Sequence, residues 1–259
     1  MSDGALEIDG VRLGFTRRGK GNPLVLLHGY PLNRTIWSGV AGILEGEFDL
    51  IMPDLRGFGE SDVMEADQSI LTYAADLAGM MRRLGIREAH VVGHSMGGYV
   101  ALAFARLFGG MLSGLGLVAS QVSADSEDRK AARQAAARQV VREGVSSVLE
   151  TMPPRLSADP EVQGLTRRLI TQQRPLGLAV ALDAMAGRPD STDVLRSLGS
   201  PVVLVHGTAD ELIPVERARE MRRLLPAAHY LELEGVGHMP MIERPAAVAQ
   251  ALRFFAGVR

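Results

Sequence analysis

Five residues, Gly93-His94-Ser95-Met96-Gly97, constrain this chain more than any others. They follow a short strand-like run, Ala89-His90-Val91-Val92. They precede Met96 to Phe108, where Val100, Ala101, Phe104 and Phe108 fall at helical spacing. A serine between strand and helix, with glycine two positions to either side, describes a sharp and strained turn. Glycine at both places lets the backbone take that geometry and lets strand and helix approach closely. The expected result is a hydroxyl held clear of the surface at the C-terminal edge of a sheet.

Such a turn needs a sheet around it, and the rest of the chain has the pattern of one. Leu6-Glu7-Ile8 and Val11-Arg12-Leu13 flank Asp9-Gly10, a two-residue hairpin signal. A hinge over Arg17 to Pro23 leads into Leu24-Val25-Leu26-Leu27, an apolar run that reads as a fully buried strand. Phe48 to Met52, Leu115 to Ala119 and Pro201 to Val205 read the same way, and Tyr230 to Leu233 is a weaker strand. Tyr73 to Leu84 predicts a helix with Ala74, Leu77, Met81 and Leu84 on one face, and a last helix starts at Pro245. Strands separated by helices predict an α/β fold: a mostly parallel β-sheet with helices on both faces.

One region breaks that rhythm. From about Val122 to about Pro189 there is no strand signal. Asp125 is placed to cap a long helix that stops at Gly144, Pro153-Pro154 and Asp159-Pro160 punctuate two shorter ones, and Pro175 opens another. This stretch is far longer than the ~10–15 residues a crossover helix needs. We therefore expect a helical cap or lid, 122–189, inserted between core segments 1–121 and 190–259.

With 259 residues, 46% of them hydrophobic, the chain is long enough for one α/β core with such an insertion. A formal net charge of −2 gives no sign of a nucleic-acid or anionic-membrane partner. There is no cysteine, hence no disulfide and no thiolate metal site. The polar N-terminus resembles no signal peptide, and no stretch is apolar for long enough to span a bilayer. The expectation is a soluble, cytoplasmic protein whose oligomeric state is not readable.

A serine hydroxyl is a poor nucleophile near neutral pH and needs a base, which in turn needs an orienting acid. Asp210 lies just past the strand ending Val205-His206-Gly207, and His238 lies in Gly235-Val236-Gly237-His238-Met239-Pro240, after the last strand signal. In a parallel sheet the loops after strand C-termini share one edge, so Ser95, Asp210 and His238 are expected to converge. Asp125 is the rival acid, also after a strand, but its strand-to-acid context is less clean. Asp54 is expected to knit its loop through hydrogen bonds. His28 is expected to be structural, His94 to pack, His206 to end a buried strand, and His90 and His229 to sit at strand edges. None of the six histidines shows a metal-ligand spacing. Gly57-Phe58-Gly59-Glu60-Ser61-Asp62 lacks the third glycine of a dinucleotide loop and carries acids that repel phosphate. Neither a metal nor a cofactor is expected.

Taken with Leu27-His28-Gly29-Tyr30-Pro31 and Asp54-Leu55-Arg56-Gly57-Phe58-Gly59, these motifs make the chain resemble an α/β-hydrolase over nearly its whole length. Within that superfamily it resembles capped carboxylesterases, 3-oxoadipate enol-lactonases and cofactor-free haloperoxidase-type esterases. The resemblance implies Ser95 as nucleophile, His238 as base and Asp210 as acid. It also implies an oxyanion hole from the backbone N–H groups of Tyr30 and Met96, whose side chains then shape the acyl pocket. The implied activity is serine hydrolysis of a small-molecule carboxylic ester or lactone. Haloalkane dehalogenases and epoxide hydrolases of similar sequence carry aspartate where this chain has Ser95, which argues against both. C–C bond hydrolases, hydroxynitrile lyases and perhydrolases share the triad and stay open, and Pro31 suggests a peracid-forming side activity. A hydrolase-like ligand-binding receptor with slow turnover is the reading of another class. The insert contributes leucine, methionine and alanine, so the pocket is expected to be mainly apolar. Arg155, Arg167, Arg168, Arg174 and Arg188 are the candidates within it for holding a substrate carboxylate.

Overall fold

The computed structural model describes residues 2–64 and 69–257. Its centre is an eight-stranded sheet: β1 Ser2–Ile8, β2 Val11–Gly19, β3 Asn22–Leu27, β4 Phe48–Pro53, β5 Ala89–His94, β6 Leu112–Val118, β7 Val202–Gly207 and β8 His229–Leu233. The spatial order is β1-β2-β4-β3-β5-β6-β7-β8. β1 pairs antiparallel with β2, and β2 with β4; every later pairing is parallel. Ile8 pairs with Val11 across the expected hairpin, where Asp9 and Gly10 both take positive φ, as a two-residue turn of this twist requires.

Helices cover both faces, and the strands show why. Val25 and Leu27 of β3, with Val202 and Leu204 of β7, enter one core, whereas Leu24, Leu26, Val203 and Val205 enter another. This period-2 alternation splits continuous apolar runs between two layers. The first core is closed by α2 Ile70–Arg83, α3 Met96–Phe108, α8 Thr192–Ser197 and α9 Glu216–Leu224. The second is closed by α1 Ser38–Leu44, α10 Pro240–Glu243 and α11 Pro245–Leu252. Ser69 opens α2 with a reciprocal capping box to Thr72. Among the described residues no helix is long and apolar enough to cross a membrane.

Between β6 and α8 stand four helices, α4 Glu127–Glu143, α5 Ser146–Leu156, α6 Pro160–Thr171 and α7 Pro175–Ala186. They form a helical insert whose apolar residues join the cores, with Val140, Val148 and Leu182 in the first and Leu156 and Leu169 in the second.

Several local expectations need correction. Arg17 and Arg18 lie inside β2 rather than in a hinge, because antiparallel pairing with β4 extends the strand to Gly19. Ser126, not Asp125, caps α4, its side chain accepting from the Arg129 N–H. Pro153 and Pro154 lie within α5. A proline at 153 cannot bond the Leu149 carbonyl, and Arg167 of α6 donates to that carbonyl at 3.0 Å instead. His90 sits in a central strand, buried and stacked on Phe255, not at an edge.

Candidate active site

Ser95 ends β5 and opens α3 with φ 51° and ψ −112°. A non-glycine residue held there stores about 1–3 kcal/mol of strain, which the surroundings must enforce. The flanking glycines show how. A Cβ on Gly93 would lie 2.1 Å from the Gly97 carbonyl oxygen, and one on Gly97 would lie 2.6 Å from the His28 oxygen. Backbone fills both spaces, so strand, turn and helix interlock only without side chains there. The Ser95 carbonyl accepts from Gly98, Tyr99 and the Ser120 hydroxyl. The partly exposed Ser95 side chain faces a cavity of about 480 Å³.

Asp210 follows β7 and His238 follows β8, so both reach the same sheet edge as Ser95. His238 Nδ1 lies 2.7 Å from Asp210 Oδ2, and Asp210 Oδ1 accepts from the N–H groups of Leu212 and Ile213 at 2.8 and 3.0 Å. Burial pushes the Asp210 carboxyl up, but the charge of His238 and the hydrogen bonds from His206 and His238 outweigh it. The net effect holds it far below the usual carboxylate range. A carboxylate only accepts, so Nδ1 of His238 carries a proton, and Nε2 keeps a lone pair whenever the ring is in its neutral form. That Nε2 is buried and has no hydrogen-bond partner among the described residues. The structure thus joins Asp210 to His238 and sets Ser95 in the cavity; no hydrogen bond links Ser95 to His238.

His238 is anchored by residues that sequence reading missed in this role. Its N–H donates to the Leu156 carbonyl of the insert at 2.9 Å, and its carbonyl accepts from His94 Nε2 at 2.8 Å. Gly237 donates to the Glu243 carboxylate, and His206 Nε2 lies 2.7 Å from the Ile213 oxygen and 3.2 Å from Asp210 Oδ2. The signal for His94 was its place beside Ser95; nothing local in the sequence marks Leu156.

The N–H groups of Tyr30 and Met96 donate to no other described residue. That of Met96 heads the thirteen-residue α3, whose dipole favours negative charge at this end. Tyr30 also presents its side chain to the cavity and packs edge-on against Phe58. His28 is structural: Nε2 accepts from Leu55 N–H at 2.9 Å, and Nδ1 faces the Gly29 oxygen. Asp54 ties its loop as expected, accepting from the N–H groups of Arg34 and Glu60 and pairing with the Arg34 guanidinium.

The rival acid has other partners. Asp125 is shared by Arg188, Arg133 and Arg129 at 2.9, 2.6 and 3.3 Å. Of the five candidate arginines only Arg155 lines the cavity. Arg167 serves Leu149, Arg168 is exposed, Arg174 donates to the Ser61 carbonyl, and Arg188 is buried over the Tyr99 ring. Arg129 and Arg133, four and eight residues after Asp125 on α4, line the cavity instead. The remaining wall is mainly apolar, including Ala136, Val140, Val148, Met152 and Leu182.

This arrangement has known counterparts. The chain is 38% identical to a thermophilic esterase from Thermogutta terrifontis, solved with malate bound, over 98% of both chains with a TM-score of 0.93. It is 29% identical to the pimeloyl-[acyl-carrier protein] methyl ester esterase of Vibrio vulnificus, over 95% of this chain and 98% of that protein. The enol-lactonase of Burkholderia xenovorans shares the fold at 22% identity, with a TM-score of 0.89 over 97% and 99% of the two chains. By these neighbours the protein is an esterase-like hydrolase. The pattern of the alpha/beta hydrolase family matches residues 24–251, and the chain belongs to that family.

Proposed function

We propose that the protein hydrolyses a carboxylic ester or lactone through an acyl-enzyme on Ser95. The observation that carries this reading is the tautomer of His238: Nδ1–H engaged by Asp210, Nε2 buried and unpartnered. In the reaction Ser95 Oγ attacks the carbonyl carbon while Nε2 takes its proton. The oxyanion forms against the N–H groups of Tyr30 and Met96, and two donors held in place there lower the barrier by a few kcal/mol. The tetrahedral intermediate collapses, and the leaving alkoxide takes the proton from His238. Water then gives a proton to Nε2 as its oxygen bonds the acyl carbon; the second collapse releases the acid and returns the proton to Ser95.

The helical insert, 122–189, acts as a cap. Its α4, α5 and α7 wall the cavity, and Leu156 at the end of α5 holds the His238 backbone. The substrate is a small ester, as the names of the esterase relatives suggest.

The test is turnover of p-nitrophenyl butyrate by the wild-type protein and by Ser95→Ala. The expected loss of kcat in the variant is about 10⁶-fold. A variant at the wild-type rate would refute acyl transfer at Ser95. A single burst without later turnover would favour the receptor reading.

A further inference from the structure

Among the described residues, the cavity beside Ser95 is lined by three arginines, Arg129, Arg133 and Arg155, and by no aspartate or glutamate. Two of these lean on Asp125, whose side chain is fully buried and stands behind the wall. Asp125 also binds Arg188, so three guanidiniums share one carboxylate and leave an excess of two positive charges. Arg133 is held at 2.6 Å and also donates to the Met185 sulfur, so its fork is largely occupied. Arg129 is the most exposed member, its side chain 39% exposed, with Nε 3.3 Å from Asp125 and Nη2 donating to the Leu212 carbonyl at 3.2 Å, which leaves Nη1 open among the described residues. Arg155, on α5, is exposed to the cavity and has no partner among the described residues. Low-dielectric walls focus such an uncompensated field, and a guanidinium fork matches the two oxygens of a carboxylate.

From this charge pattern we infer that the substrate carries an ionised carboxylate besides the bond that is cut, and that Arg155 and Arg129 receive it. The inference rests on the hydrolysis proposed at Ser95. It narrows the substrate to half-esters of dicarboxylic acids, or lactones bearing a free acid, and disfavours esters carrying an ammonium group.

The test compares mono-p-nitrophenyl glutarate with p-nitrophenyl pentanoate, which has the same number of acyl carbons and no charge. The expected kcat/KM ratio favours the glutarate ester by about tenfold or more at low salt, the worth of one charge-assisted hydrogen bond. Added salt lowers it. Arg155→Gln cuts the ratio by about tenfold, Arg155→Lys retains part of it, and Arg168→Gln, exposed on α6 outside the cavity, leaves it at the wild-type value. Independently of turnover, glutarate itself binds Ser95→Ala in calorimetry, and adding Arg155→Gln weakens that binding. A ratio at or below one, or no glutarate binding, overturns the carboxylate site. If the pentanoate is still hydrolysed in that case, the Ser95 chemistry stands. If neither ester is hydrolysed, the Ser95 reading fails, and glutarate binding alone decides the site.

Discussion

Removing the Asp125 carboxylate tests whether this acid is a structural clamp rather than part of the catalytic apparatus. Its side chain is fully buried, as is that of Arg188 at 3% exposure, while Arg133 keeps 15% and Arg129 39%. Deleting one partner of a buried ion pair costs about 3–5 kcal/mol, because the orphaned charge loses compensation it cannot recover from water. In Asp125→Ala the cost falls near the lower end. Arg188 keeps its bonds to the Met185 and Ser123 carbonyls and its place 3.9 Å from the Tyr99 ring centroid, and Arg129 can be rehydrated. About 3 kcal/mol corresponds to a drop of roughly 6–12 °C in melting temperature for a chain of this size. The measurement is differential scanning fluorimetry with urea unfolding, alongside turnover of a neutral ester at a temperature where the variant is folded. The expected outcome is a large loss of stability with turnover of the same order as wild type. A melting temperature within about 2 °C of wild type, less than 1 kcal/mol on the same scale, would refute the clamp. A collapse of kcat in the folded variant would return Asp125 to the catalytic apparatus. The acid dependence follows the same contact. Burial raises the Asp125 carboxyl, but the hydrogen bond from Arg188 and the charge of Arg133 more than offset that and hold it below its ordinary value. Its stabilisation is therefore present above the unfolded value of about 3.9 and lost as pH falls through the lower folded value. Asp125→Asn is expected to lose that part of the acid dependence.

Asp210→Asn leaves the geometry but allows the wrong His238 tautomer, and kcat is expected to fall about 10⁴-fold; a loss under tenfold would place the acid elsewhere. Gly93→Ala puts a methyl group 2.1 Å from the Gly97 oxygen. It should cost about 3 kcal/mol or more in urea unfolding together with activity, and a stable, active variant would contradict the interlocked elbow. Burial and the neighbouring His238 hold the His94 imidazole well below its ordinary value, and burial lowers His28 and His90 in the same sense. The unfolded chain therefore takes up protons below about pH 6.5 that the folded chain refuses. Stability is complete above that pH and declines below it. His94→Gln should flatten the decline by up to ~1.4 kcal/mol per pH unit, and an unchanged slope would show that His94 does not contribute.

The parallel core was legible because each buried strand is a short apolar run cut off by turn residues. Leu24 to Leu27 needs no knowledge of its neighbours to be read as a strand. The elbow was legible for a similar reason, since glycine, serine and glycine at fixed spacing encode a local backbone conformation. Arg17 and Arg18 were misread because their strand is made by pairing with β4, not by apolar pattern. Pro153 and Pro154 were misread as a break because the compensating donor, Arg167, comes from another helix. Of the arginines, the sequence singled out Arg155 among five but passed over Arg129 and Arg133. Which face of a polar helix turns inward depends on what packs against it.

The amino-acid sequence by itself determined the fold class, the strained serine, and Asp210 and His238 as its candidate partners, because these rest on local backbone chemistry and on the order of strands along the chain. Only the tertiary structure decided that Asp125 answers to three arginines, that His94 and Leu156 hold the His238 backbone, and that the cavity wall, among the described residues, carries cations without acids. Apart from Arg129 and Arg133, which follow Asp125 by four and eight positions, these are contacts between residues tens of positions apart, set by how the insert lies over the sheet edge, and no spacing along the chain encodes them.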